Sequence, residues 1–166
     1  AFNGKRVAMC SSNKDIGYSD DYGITWISTG FTGLNVPFKA IYIAETSKWF
    51  AVGLGSGGQN LAISSNGITW TLLATTTLET RVYDVIYNGS VYIAVGWSAN
   101  YPMATSADGI TWTSNTNYRL DATGSQNGYW LFNDGSRYIF AGQAITKAGG
   151  VGGNIATSLD AITWDN

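Results

Sequence analysis

The chain has 166 residues, a length that suits one domain with a real core. Apolar residues make up 45%, aromatics 14% and charged residues 12%, with 21 Gly, which excludes a disordered or helical protein and predicts a β-rich one with many tight turns. A net charge of −2 and a pI near 4.8 give no basic field for nucleic acid or anionic lipid, and the lack of histidine removes His-based general-base catalysis and ordinary zinc sites.

One short phrase returns four times along the chain. It reads Ser19-Asp-Asp-Tyr-Gly-Ile-Thr-Trp26, Ser64-Ser-Asn-Gly-Ile-Thr-Trp70, Ser106-Ala-Asp-Gly-Ile-Thr-Trp112 and Ser158-Leu-Asp-Ala-Ile-Thr-Trp164. The tryptophans are 44, 42 and 52 residues apart. A period of that size marks one supersecondary unit repeated, each unit needing its neighbours to bury its apolar face.

The first unit, 1–30, opens on Phe2-Asn3-Gly4, the end of a first strand and its turn. Lys5-Arg-Val-Ala-Met-Cys10 follows as a second strand, then a loop over 11–15 and a third strand running into Ser19. The second unit, 31–76, places first and second strands at Phe38-Lys-Ala-Ile-Tyr-Ile43 and Ser47-Lys-Trp-Phe-Ala-Val-Gly53. In the third, 77–116, Val82-Tyr-Asp-Val-Ile-Tyr87 and Asn88-Gly-Ser-Val-Tyr-Ile-Ala-Val-Gly96 flank a turn. The fourth, 117–166, repeats this as Tyr129-Trp-Leu-Phe132 and Asp134-Gly-Ser-Arg-Tyr-Ile-Phe-Ala-Gly142. An Asn-Gly or Asp-Gly turn between β-branched and aromatic runs is a hairpin signal.

Four antiparallel strands per repeat predict an all-β protein, a β-propeller of about four blades in one domain, 1–166. Fifteen strands are expected where four complete blades need sixteen, because most of the first blade's innermost strand is missing. The expectation is that the chain belongs to a larger propeller, or that another chain or a missing segment completes the blade, since an open sheet edge invites pairing. The start at Ala1 rather than Met predicts a processed or excised piece. Cys10, the lone cysteine, is assigned to the slot of Gly53, Gly96 and Gly142 as a small buried residue. No apolar run approaches the ~20 residues that span a bilayer, so no membrane insertion is expected.

The phrase from Ser19 to Trp26 resembles the Asp-box, or BNR repeat, of sialidases, sortilin-type receptors, some xyloglucanases and photosystem assembly factors. The other three copies are one residue shorter, Asn66 replaces the second aspartate, and Ala161 fills the fourth glycine slot. The resemblance implies that Ser19, Asp21, Gly23 and Trp26 build a hairpin turn, with the aspartate tying down turn amides and the tryptophan packing between blades. The same roles fall on Ser64, Asn66, Gly67 and Trp70, on Ser106, Asp108, Gly109 and Trp112, and on Ser158, Asp160 and Trp164. These are read as structural turns, not as an active site or a metal site; the chemistry of Asx-Gly turns and the ~150–250 Å² that a tryptophan can bury agree.

On such a scaffold the turns between first and second strands share one face with the signature turns. The loops 11–15, 54–60, 98–102 and 143–154 and the connections 30–37, 75–81 and 115–128 share the other and differ in every unit. Variable loops on a repetitive scaffold are where binding resides. Arg81, Trp97, Asn100, Tyr101, Tyr118 and Arg119 are the candidate ligand-binding residues there, aromatic faces beside amides and guanidinium suiting sugar rings. The bland reading is that Trp97 and Tyr118 cover strand ends.

The leading function is therefore a non-catalytic recognition or assembly module for glycan or protein surfaces, without cofactor. Two alternatives stand beside it: a fragment of a sialidase-like glycoside hydrolase, and a pure scaffold. The resemblance to sialidases implies three arginines clamping a carboxylate, but Arg6 and Arg137 share one repeat register and the Arg-Ile-Pro motif is missing. Glu45 falls on the signature face, and Glu79 with Asp121 could serve a hydrolase only if their carboxyl groups approach to ~5–9 Å. The Ser/Thr/Asn/Gly-rich, low-charge composition favours an extracellular, phage or virion surface.

Overall fold

The computed structural model of the chain describes residues 1–10, 14–74, 78–98, 101–116, 126–145 and 153–165. Among these lie fourteen strands and a single turn of 3-10 helix. The protein is a β-propeller arc whose units follow one another along the chain. Unit 1 holds β1 (Val7–Cys10), β2 (Ile16–Ser19) and β3 (Ile27–Ser28). Unit 2 is complete, with β4 (Val36–Ile43), β5 (Lys48–Ser56), β6 (Gln59–Ser64) and β7 (Thr71–Leu73). Unit 3 repeats it as β8 (Arg81–Tyr87), β9 (Tyr92–Ser98), β10 (Met103–Ser106) and β11 (Thr113–Ser114). Unit 4 has β12 (Gln126–Asn133), β13 (Tyr138–Ile145) and β14 (Gly153–Ser158), and the bridge Thr157–Asp165 stands where its outermost strand is expected.

Pairing is antiparallel throughout, each strand bonded to the next within its unit. Units 2 to 4 are also stitched into one continuous sheet. Leu54 at the far end of β5 pairs with Arg81 of β8, and Trp97 and Ser98 of β9 pair with Asn127 and Gln126 of β12.

The sequence turns between first and second strands share a common geometry. The Asn88 and Asp134 side chains each accept from the backbone N–H groups two and three residues on, at 2.7–3.0 Å. The glycines after them have φ of 94° and 93°, a conformation that costs a side chain about 1 kcal/mol and costs glycine nothing sterically. Asn3 and Gly4 reproduce the turn, which places Ala1 and Phe2 as a stub of inner strand. Phe2 bridges Val7, and the Ala8 N–H donates to the Ala1 carbonyl at 2.9 Å. The inner edge of β1 is thus partly filled from within the chain, where the sequence left it without a partner.

Register corrects two further expectations. Val7, Trp49, Tyr92 and Tyr138 each pair with the serine that opens their unit's signature. Counting from them, Cys10 matches Val52, Val95 and Ala141, one residue short of the glycine slot. Its thiol is half-buried, and that burial pushes its pKa up to about 11, which leaves it inert. The stretch 54–60, read as a loop, is mostly strand: β5 and β6 continue to a tight turn at Gly57-Gly58, both at positive φ, as a two-residue hairpin requires.

Alternation along the strands gives each unit two apolar faces. The upstream face of unit 2 (Trp49, Ala51, Ala62, Trp70) packs on Ala8 and Ile16 of unit 1. Its downstream face (Phe50, Val52, Leu61) packs on Ala94, Ala104 and Trp112 of unit 3. In turn Ile93, Val95 and Met103 of unit 3 meet Phe140, Ala156 and Trp164 of unit 4. Three cores between units, rather than one central core, hold the arc together.

Candidate functional site at the inner strands

The serine of each signature accepts turn amides, and the acid or amide two residues on accepts those that follow. Asp108 Oδ1 accepts the N–H groups of Ile110 and Thr111 at 2.7 and 2.8 Å, and the Ser106 hydroxyl donates to it at 2.9 Å. Asp160 and Asn66 accept the equivalent pairs at 2.7–2.8 Å. In the longer first copy Asp21 accepts the Thr25 N–H at 2.8 Å and the Ser19 hydroxyl at 2.6 Å. These donors favour the ionised carboxylate and hold Asp21, Asp108 and Asp160 at about 2. The carboxylate oxygens of Asp21 and Asp108 are thus engaged by N–H and hydroxyl groups of their own turns. Trp70, Trp112 and Trp164 are 8%, 6% and 2% exposed. Trp26 is 43% exposed, no unit among the described residues lying against its face, and its Nε1 donates back to the Gly23 carbonyl at 3.0 Å. Shallow hollows recur beside the signatures of units 2, 3 and 4, lined by Thr71, Thr113 and Thr157 among others, and follow from the repeat itself.

The opposite end of the arc is built differently. Each inner strand carries a β-bulge near its start, and an aromatic residue occupies the extra position: Phe38, Tyr83 and Tyr129. Gly53, Gly96 and Gly142 lie across from the residue before the bulge. A Cβ at Gly96 would stand 2.0 Å from the Arg81 carbonyl oxygen, and one at Gly53 2.3 Å from that of Val36. The recurring glycine therefore exists to let the bulged strand close in.

The bulges bring the three rings into a row across units 2, 3 and 4. Phe38 stacks on Tyr83 with centroids 5.4 Å apart and planes 11° from parallel, and Tyr83 meets Tyr129 at 5.3 Å and 59°. The exposed Arg81 donates from Nη1 to the Tyr83 hydroxyl at 3.3 Å. Directly after the bulge the buried Asp84 fastens the row. It accepts Lys39 Nζ of unit 2 at 2.6 Å and the Leu131 N–H of unit 4 at 3.2 Å. A buried carboxylate is tolerated only when so many donors surround it.

Of the residues expected to bind ligand, Arg81 and Trp97 pair across β8 and β9 at this end, and the half-buried Tyr101 lies beyond β9, its N–H donating to Ser98 Oγ at 3.2 Å. Asn100, Tyr118 and Arg119 lie outside the described residues, as does Asp121. Arg6 sits at the other end: it forms a two-pronged pair with Asp20 at 2.7 Å and reaches the Asn66 carbonyl at 2.6 Å. Arg137 occupies the matching register in unit 4 beside Ser158. Glu45 lies exposed in the 3-10 turn Ala44–Thr46, and Glu79 is exposed before β8. Sequence reasoning missed Phe38, Tyr83, Tyr129 and Asp84. The usable signal was an aromatic following Pro37, Val82 and Gly128, each opposite a repeat glycine. Among the described residues no three His, Cys, Asp or Glu side chains gather as a metal site, and no helix is long and apolar enough to cross a membrane.

No family model matches the chain, and no curated protein matches it. Solved structures do. The crystal structure of the GH74 enzyme of Niastella koreensis aligns over 98% of this chain and 24% of its own, with a TM-score of 0.63 and 20% identity. YCF48 bound to D1 peptide aligns over 99% of this chain and 50% of its own, with a TM-score of 0.60 and 19% identity. The chain spans at most half the length of these structures, and at such identity the likeness establishes the fold: an all-β propeller built of antiparallel blades.

Proposed function

We propose that this protein is a non-catalytic recognition or assembly module of the Asp-box type, which takes glycan or protein surfaces at the variable-loop end of its blades. The observation that carries the reading is the row Phe38–Tyr83–Tyr129 with Arg81 on the Tyr83 hydroxyl. Aromatic faces beside a guanidinium suit sugar rings and the planar groups of peptides alike. Trp97 and Tyr101 extend the surface on unit 3. One structural neighbour is a GH74 enzyme and another carries a bound peptide, which supports both ligand classes as candidates. Arg6 belongs to the signature end and Arg81 to the opposite end, an arrangement that favours binding over the three-arginine clamp of a sialidase-like hydrolase.

The test is to screen the chain against an oligosaccharide array and a peptide array, then titrate the best ligand into Arg81→Ala and Tyr83→Ala. Affinity should fall at least about tenfold with little change in melting temperature. Undiminished binding in both variants, or hydrolysis of a glycoside from the array, would sink the reading.

A further inference from the structure

Asparagine precedes glycine at Asn3, Asn66, Asn88 and Asn127. A glycine has no side chain to hinder its backbone nitrogen, so the preceding asparagine's Cγ lies within reach of it, and the two can close a five-membered succinimide ring. The fold treats these pairs differently. At Asn3 and Asn88 the side-chain oxygen accepts two backbone N–H groups, those of Lys5 and Arg6 at 3.0 and 2.6 Å and those of Ser90 and Val91 at 3.0 and 2.8 Å. Two amides on that oxygen stabilise the oxyanion that attack at Cγ creates. The attacking nitrogens are open: among the described residues the Gly4 and Gly89 N–H groups meet no acceptor, and a Cβ on either glycine would find nothing within 4 Å. Asn66 also accepts two amides, from Ile68 and Thr69, but its neighbour is guarded. The Gly67 N–H donates to Ser64 Oγ at 2.9 Å, and a Cβ on Gly67 would stand 3.1 Å from the Trp49 ring. Asn127 is held in β12, paired to Trp97 on one side and to Gln143 on the other.

Asn88 has a second part to play. In units 1 and 2 the cation just before the residue that pairs with the signature serine reaches the next unit. Arg6 donates to the Asn66 carbonyl and Lys48 to the Asp108 carbonyl, each at 2.6 Å. Val91 holds that position in unit 3, packed on the core shared with unit 4, and its side chain has no donor. Asn88 Nδ2 takes over, donating to the Asp160 carbonyl at 2.7 Å. The turn itself would accept an aspartate, as Asp134 shows with the same pair of amides in unit 4. It is the latch to Asp160 that asks for an amide.

We propose that Asn88 is a site of spontaneous modification that loosens the contact between units 3 and 4, with Asn3 its silent counterpart. The Gly89 nitrogen gives its proton to solvent base and bonds to Asn88 Cγ. The Cγ–Nδ2 bond breaks, and the nitrogen takes a proton from water and leaves as ammonia. Water then opens the succinimide at one of its two carbonyls, leaving aspartate or isoaspartate; one water enters, one ammonia departs, and nothing is oxidised or reduced. Either product puts a carboxylate, which has no proton to donate, where the Nδ2–H stood against the Asp160 carbonyl. The latch becomes a repulsion between two acceptors.

The test holds the purified chain in mildly alkaline buffer and samples it for peptide mapping and thermal melting. Asn3 and Asn88 should convert, with Asn66 and Asn127 at least about tenfold slower. Asn88→Asp, made directly, should lower the melting midpoint by roughly 2–4 °C, and Asn3→Asp should leave it unchanged. Val91→Lys returns the cation that units 1 and 2 use, so in that background Asn88→Asp should cost nothing. Conversion at Asn66 as fast as at Asn88, or an Asn88 that stays intact while Asn3 converts, overturns the proposal. So does an Asn88→Asp chain as stable as the wild type, or a loss that Val91→Lys fails to reduce.

Discussion

Trp112 and Trp26 occupy the same place in the same turn, one closing an interface between units and the other facing outward. Trp112 lies among Phe50, Val52 and Leu61 of unit 2, and its indole N–H is buried with no hydrogen-bond partner among the described residues. Trp26, left 43% exposed among the described residues, turns its N–H onto the Gly23 carbonyl. What differs is the neighbour, not the turn. The signature is thus a local, self-satisfied hairpin, and the stability drawn from its tryptophan comes from the core shared with the preceding blade.

The largest expected effect separates the two directly. Trp112→Ala removes a ring from a packed core and should cost ~3–5 kcal/mol, a large part of the ~5–15 kcal/mol typical of a domain. Trp26→Ala, at a 43% exposed ring, should cost well under half of that. Urea unfolding of the two variants gives the comparison, and equal losses would break it.

A glycine pair sharpens the same contrast at smaller scale. Gly109 and Gly23 both hold positive φ, 77° and 89°, so alanine is strained at either by about 1 kcal/mol. A Cβ at Gly109 also meets the Phe50 ring of unit 2 at 3.0 Å, whereas one at Gly23 meets only its own Trp26 at 3.6 Å. Gly109→Ala should therefore lower the melting temperature more than Gly23→Ala. The reverse order would mean that the signature turn does not lean on the preceding unit. Ala161, buried at φ 58° in the fourth copy, bears the conformational strain that the second and third copies avoid with Gly67 and Gly109, and Tyr22 at φ 61° bears it in the first.

Hairpin turns and signatures were legible because their chemistry is local: Asn3-Gly4, Asn88-Gly89 and Asp134-Gly135 dictate φ, and Ser106 with Asp108 dictates which amides are satisfied. The bulges were not legible, since an extra residue such as Tyr83 shows only once the strand is paired and Gly96 is seen pressed against Arg81. The one-residue displacement of Cys10 has the same origin: register is fixed by Val7 meeting Ser19, not by alignment to the turn. Trp26 also looked identical to its three mates, because exposure depends on what a neighbouring blade covers. The candidate site was read in part, Arg81 and Trp97, while the ring row that organises it depends on contacts between units.

Acid should act on both regions alike, the smallest of the expected effects. Asp21 and Asp108 have folded pKa values of about 2, below the ~3.9 of a free aspartate. A group depressed on folding adds stability above the unfolded value, and that contribution is lost as pH falls through the folded one. Midpoints should therefore drop between roughly pH 4 and pH 2. Asp108→Asn should keep the fold, since Asn66 already performs the role with an amide, and should flatten part of that dependence. Titrating urea midpoints for wild type and variant checks this; an unchanged slope would mean that the turn carboxylates are not the groups that acid attacks.

Residue-resolved oxidative footprinting of the tryptophans, followed by mass spectrometry, tests the architecture of cores shared between units most directly. In dilute solution Trp26 and Trp130 should oxidise readily while Trp70, Trp112 and Trp164 stay protected. Contradiction would be Trp112 reacting as fast as Trp26.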